Sequence, residues 1–201
     1  MRVRLYLNSG LGILGPMTVT AISMQTSQYT FRPATHADLP LLRRWLSTPE
    51  VVRWWGDPEE EFTLLQEDLE DPRMVMRIVC FEGRPFAYAQ DYDVYSWPQP
   101  HFAVLPAGTR AIDAFIGEPG MLGVGHGSRF LALLAQRLRN EGAPRVVIDP
   151  DVANLRARRA YEKALFRADA VVDTGQGAVV VMIFDDTAAA SGPAPLGPAG
   201  S

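Results

Sequence analysis

The chain has 201 residues, of which 47% are hydrophobic and 21% charged, and a formal net charge of −4. That length suits one domain and excludes a second large one. Its apolar runs fall short of the roughly 18 to 20 residues of a bilayer-spanning helix, so no membrane partner is expected; no nucleic-acid partner is expected either. A single cysteine, Cys80, excludes an internal disulfide, and His36, His101 and His126 lack ligand spacing, so no metal is expected.

In chain order, residues 1–28 read as a flexible extension, because Asn8, Ser9, Gly10, Gly12, Gly15 and Pro16 break the apolar run that an export signal needs. A cytoplasmic location is expected. Residues 29–32 predict a short strand, and Thr35 or Asp38 caps a helix carrying Leu39, Leu42 and Leu46 on one face. A second helix over 59–70 lies in a stretch from Asp57 to Asp71 with no basic residue, which reads as a solvated helix face. Residues 74–81 and 85–95 predict a hairpin turning at Glu82-Gly83-Arg84, and a third extended run covers 109–116. A glycine-rich loop, 117–127, opens onto a helix with Phe130, Leu131, Leu134 and Leu138, stopped by Gly142 and Pro144. Residues 145–149 form a strand whose continuous apolar centre, Val146-Val147-Ile148, suits burial on both faces. A helix over 152–163 and a hairpin of 168–173 with 178–184 complete the domain, 29–186, and an Ala/Gly/Pro/Ser tract from Thr187 reads as a disordered tail. The fold class is α/β with a mixed sheet.

The charge is unevenly divided. Residues 1–28 carry +2, 29–120 carry −7, 121–167 carry +5 and 168–201 carry −4. This is either a mottled surface or an acidic and a basic half that serve a cationic and an anionic ligand.

The loop Leu122-Gly123-Val124-Gly125-His126-Gly127-Ser128 offers backbone N–H groups and a helix N-terminus to a phosphate, although such loops also serve close packing. It fails the dinucleotide pattern at Ser128 and the P-loop pattern at His126, which disfavours NAD and nucleoside triphosphates. Its Gly125-His126-Gly127, together with Asn154, Ala160, Tyr161, Glu162-Lys163 and Phe166, resembles the signature of the GNAT acyltransferases. The resemblance implies a GNAT fold, a central mixed and mostly antiparallel sheet flanked by helices, with acetyl-CoA as co-substrate. It implies that the cofactor is held by Phe115 and Ile116, by the whole loop from Leu122 to Ser128, including Gly123, Val124, Gly125, His126 and Gly127, and by Asn154 and Lys163. It also implies that Tyr161 protonates the departing thiolate. The chemistry fits: an Asn amide can bond a pantetheine arm, and Tyr161, seven residues on, shares a helix face with Asn154.

Trp54-Trp55-Gly56, Tyr88-Ala89-Gln90, Arg110 to Pro119 and Asp149-Pro150 are similar to the aminoglycoside 6′-N-acetyltransferases. This implies a resistance enzyme that acetylates the 6′-amine of a cationic aminoglycoside, with Asp113 near the attacking amine and Asp149 holding the substrate beside Trp54, Trp55, Tyr92 and Asp93. An aminosugar arrives as ammonium and must lose a proton before it attacks, so a carboxylate is needed there. Trp54 and Trp55 suit a stacking wall and a hydrophobic core equally. A GNAT acting on another amine, such as a siderophore precursor or a protein N-terminus, and a non-catalytic CoA-binding module are the other readings; monomer and homodimer are both open. Leu122 replaces the common Gln or Arg, Ala114 a common Gln, and Leu165 the usual Gly before Phe166. If the backbone keeps a positive φ there, Leu165 costs about 1 kcal/mol.

Overall fold

The computed structural model describes residues 28–175 and 177–189. Seven strands, β1 (Tyr29–Pro33), β2 (Val75–Phe81), β3 (Arg84–Asp93), β4 (Arg110–Ile116), β5 (Val146–Ile148), β6 (Phe166–Asp173) and β7 (Ala178–Phe184), form one sheet in the order β1-β2-β3-β4-β5-β7-β6. Every neighbouring pair is antiparallel except β4 and β5. Helices α1 (Leu39–Leu46), α2 (Pro49–Trp55) and α3 (Pro58–Glu70) lie between β1 and β2 in the chain, α4 (His126–Asn140) joins β4 to β5, and α5 (Leu155–Lys163) joins β5 to β6. The expected mixed, mostly antiparallel sheet flanked by helices is what forms. The expected terminal extension lies outside the described residues but for Gln28, as does most of the expected tail, whose first three residues complete a 3-10 turn, Asp186–Ala189.

Helix α2 is absent from the sequence-based expectation. Pro49 occupies its first position, where the missing N–H costs nothing, and Val51 and Trp55 are buried four residues apart on its inner face. The two adjacent tryptophans are thus helical and point to different environments.

Strand alternation divides the apolar side chains into two cores. Tyr88, Tyr92, Ala111, Phe115 and Val147 pack beneath α1, α2 and α3. Ala87, Ala89, Ile112, Ala114, Val146 and Ile148 belong to the opposite core, with the inner faces of α4 and α5. Strand β5 is buried on both sides, as its apolar run predicts. Pairing of β4 with β5 is limited to Arg110 with Val146 and Ala111 with Val147, so the remainder of β4 runs on while β5 turns away.

The end of β4 is fixed from above. A Cβ on Gly117 would lie 2.1 Å from the ring of Trp45, so only glycine allows α1 to sit this close. The Trp45 indole N–H donates to Glu118 at 2.8 Å and completes the join. Behind α5, Leu165 has φ +68°, the left-handed conformation that the missing glycine anticipates. Leu165→Gly and Leu165→Ala both lose the partly buried leucine side chain, and only alanine retains the strain. Chemical denaturation should find the glycine variant about 1 kcal/mol more stable than the alanine variant; the reverse order would show that the positive φ carries no cost.

Candidate active site

Asp113 projects from β4 into the core beneath α2 and α3 and is only 1% exposed. Gln90, its cross-strand partner on β3, donates its amide to Asp113 Oδ2 at 2.9 Å, and Tyr88 in turn donates to the Gln90 carbonyl oxygen. Asp149 follows β5 on the same face by strand alternation and is 3% exposed. The chain on either side of it is tied to β7: Val180 N–H donates to Pro150 at 2.8 Å and Val152 N–H to Ala178 at 2.9 Å. Asp149 Oδ2 meets His101 Nε2 at 2.8 Å.

The second oxygen of each carboxylate is different. Asp113 Oδ1 and Asp149 Oδ1 are buried with no hydrogen-bond partner among the described residues, as are Tyr92 Oη and Trp55 Nε1 on the same face. Leaving a buried polar group unpaired costs about 1–3 kcal/mol, and structures that fold despite it commonly do so where a ligand binds. Two of these atoms are carboxylate oxygens, which call for a ligand with N–H donors and positive charge.

The electrostatics agree. Burial pushes the Asp113 carboxyl well above the usual range, and the charge of Asp149 raises it further against the hydrogen bond from Gln90. Burial also raises Asp149, opposed by His101. Helix α3 adds to the effect: Glu61 and Leu65 are buried and Asp68 half-buried along its inner face, and both acids act on Asp113. Burial, with the charges of Asp71 and Glu67, pushes Asp68 up to about 6. The acidic stretch is therefore only partly a solvated face. Its 61, 65, 68 spacing around a buried leucine was the available signal; for His101, in a proline-rich loop, there was none.

The remaining expected substrate residues separate. Trp55 is core, its ring edge-on to Phe115 at 4.9 Å, while Trp54 is half-buried with the Arg53 guanidinium 5.1 Å from its ring. Tyr92 is fully buried with its ring edge-on to Trp97, and Asp93 accepts from the Tyr95 N–H at 2.8 Å to make a turn at the end of β3. Asp91, at the same end of β3, is clamped between Arg77 and Arg110.

The second half of the site is backbone. Gly117 N–H bonds to Phe86, which sets the phase of the β3–β4 ladder: Asp113 and Phe115 exchange bonds with β3, while Ala114 and Ile116 turn their N–H and C=O groups to the side from which β5 has parted. Ile116 and Ala114 thus share this open edge. Phe115 is not on this edge; its ring is packed among Trp45, Trp55 and Tyr88.

The loop before α4 bends at Gly123, φ +76°, and Gly125 caps the helix at φ +91°. The first-turn N–H groups at His126, Gly127 and Ser128 are then free of helical bonding, and the Arg129 guanidinium lies 3.8 Å from the position a Gly125 Cβ would take. This cradle fits a pyrophosphate. Val124 is 57% exposed beside it, and Leu122 packs on the core.

Among the other expected cofactor residues, two side chains are engaged within the protein. The His126 imidazole is buried against Phe81 and bonded to Tyr29 at 2.6 Å, so this residue offers only its backbone. Asn154 Oδ1 caps α5 by accepting from Ala157 N–H at 3.1 Å. Lys163 is exposed at the last position of α5. Tyr161 is fully buried in the core opposite Asp113.

Because burial favours protonated Asp113, the folded state binds that proton more tightly than the unfolded chain does. Stability from this group is therefore greatest below the ordinary carboxylate pKa and declines as pH rises from there toward the folded value. Asp113→Asn removes the penalty. Without ligand it should melt about 2 °C or more above wild type at pH 8, a gap that closes toward pH 4. Equal melting curves at both pH values would show that the buried charge costs nothing.

Comparison with known proteins agrees with this geometry. Residues 34–174 match the family described as an acetyltransferase (GNAT) domain. The chain is 31% identical over 183 residues to the aminoglycoside N(6′)-acetyltransferase type 1 of Klebsiella pneumoniae, covering 85% of this chain and 89% of that one. Its structure is similar to AAC(6′)-Ib in complex with paromomycin and acetyl-CoA, with a TM-score of 0.69 and 28% identity, covering 84% of this chain and 99% of that one. It is also similar to AAC(6′)-Ib with coenzyme A and kanamycin, with a TM-score of 0.67 and 29% identity, covering 80% of this chain and 96% of that one. The chain belongs to the GNAT acetyltransferases.

Proposed function

We propose that this acetyltransferase moves the acetyl group of acetyl-CoA onto the 6′-amine of an aminoglycoside, and so confers resistance to it. One observation carries the acceptor: two buried carboxylates, Asp113 and Asp149, each keep an unpaired oxygen on one face of the sheet. An ammonium answers both the missing hydrogen bonds and the excess negative charge.

In this reading Asp149 holds the cationic sugar and Asp113, whose proton affinity is raised by burial, takes a proton from the ammonium. The freed amine then attacks the thioester carbon, forming the C–N bond as the C–S bond breaks, and the new amide nitrogen sheds its second proton to solvent, which restores the proton that Tyr161 gives up. Ala114 and Ile116 supply backbone N–H groups on the open edge of β4, where a carbonyl or pantetheine amide would lie. The Gly125 cradle and Arg129 hold the pyrophosphate. Tyr161 returns a proton to the sulfur. Because both substrates reach one parting of the strands, direct transfer needs no covalent enzyme intermediate, and buried Cys80 takes no part. The location follows from the co-substrate, in the cytoplasm.

Thiol release from acetyl-CoA with paired 6′-amino and 6′-hydroxy aminoglycosides tests the regiochemistry: only the amino compounds should turn over, and acetylation of the hydroxy compounds would defeat it. Turnover confined to other amines would replace the acceptor. Asp113→Asn should lower kcat/KM about 100-fold or more while the protein stays folded. Tyr161→Phe should lower kcat about tenfold or more with little change in either KM; an unchanged kcat would remove Tyr161 from the mechanism.

A further inference from the structure

His101 belongs to no motif, yet its imidazole reaches the centre of the site. It lies on a 3-10 turn, Pro100–Phe102, in the loop between β3 and β4, and its side chain is 4% exposed. Its Nε2 is 2.8 Å from Asp149 Oδ2, and with a carboxylate oxygen opposite, the Nε2–H donates. Asp149 is 97% buried by the same measure, and its other oxygen has no hydrogen-bond partner among the described residues. The charged groups acting on Asp113 are the acids Asp149, Asp68 and Glu61, so the base set against this acidic pocket is His101, through Asp149.

We propose that His101 is a positioning residue for the acceptor: by holding Oδ2 of Asp149 it fixes that carboxylate and directs Oδ1 to the incoming cation. This rests on the reading that Asp149 receives the acceptor amine. The loop does not depend on His101 for its place. Phe102 is buried at 1% exposure in the core beneath α1 to α3, and Tyr95 Oη donates to the Leu105 carbonyl at 2.8 Å. The work of the imidazole is therefore local. Without it, Asp149 loses its charge-assisted donor and is free to rotate, or to keep its proton, and the cation meets a carboxylate that is misdirected or neutral. The cofactor half, built on β4 and the Gly125 cradle, is untouched.

The test is a double-mutant cycle read as separate KM values for acceptor and acetyl-CoA, with thermal melting of every variant. Acceptors are kanamycin, lysine and spermidine, and the cycle is measured on whichever amine wild type acetylates; the wild-type panel thus reports on the acceptor reading and the cycle on His101. His101→Phe should raise the acceptor KM about tenfold to a hundredfold and leave the acetyl-CoA KM unchanged. His101→Gln, which keeps an N–H donor on a side chain of similar reach, should stay within about threefold of wild type. In an Asp149→Asn background, His101→Phe should add less than about twofold, because its only route to the acceptor is gone. An unchanged acceptor KM in His101→Phe, an equal rise in both KM values, or full additivity with Asp149→Asn would each overturn the proposal.

Discussion

Holding Asp113 and Asp149 out of water on one face of a sheet is the costly demand to which the rest of this structure answers. An isolated buried carboxylate is expensive enough that a protein protonates it, pairs it or does not bury it. Here each is half satisfied. Gln90 and His101 each secure one oxygen, while burial raises the proton affinity of both acids and the charge of Asp149 raises that of Asp113 further. A carboxylate in that condition is a strong trap for an ammonium and a competent base for the proton it must shed. The aromatic core of Tyr88, Tyr92, Trp55 and Phe115 excludes the water that would otherwise satisfy both acids.

The second constraint is the parting of β4 from β5. In a sheet of otherwise antiparallel pairs, this one parallel pair closes over only two residues of each strand. Beyond it, β4 turns backbone donors and acceptors to the side that β5 has left, and the chain runs on from there into the glycine loop and the N-terminal N–H groups of α4. An extended, amide-bearing ligand that ends in phosphates matches that sequence of groups. The Trp45–Gly117 contact and the Trp45–Glu118 hydrogen bond keep the free end of β4 from collapsing into the gap.

Several residues that carry the family resemblance act by packing. Phe115 and Trp55 build the apolar wall behind Asp113, His126 anchors the start of α4 among Tyr29, Phe81 and Phe86, and Asn154 caps α5. A motif marks where a side chain stands along the chain, and whether that side chain faces a ligand or the core is settled by what is packed against it. Leu165 shows the converse. The position demands a left-handed backbone because of how α5 turns into β6, and the chain adopts it even without glycine.

Local patterning was enough to reveal the strands, the glycine-led helix, the buried β5 and the acid on β4, because alternation, helical spacing and turn residues act over a few neighbours. The Gly125 loop and Asp113 were legible for the same reason, as parts of contiguous motifs. Helix α2 was not, since seven residues that begin at a proline carry too little periodicity to announce themselves. The inward set of Glu61 and Asp68 was lost in a uniformly acidic run, and His101 sits 48 residues from the carboxylate it holds. That last pairing, the convergence of acids from α3, β4 and β5, and the opposite-face placement of Asp113 and Tyr161 are decided by which strands lie side by side. Long-range packing alone determines that, and no stretch of sequence displays it.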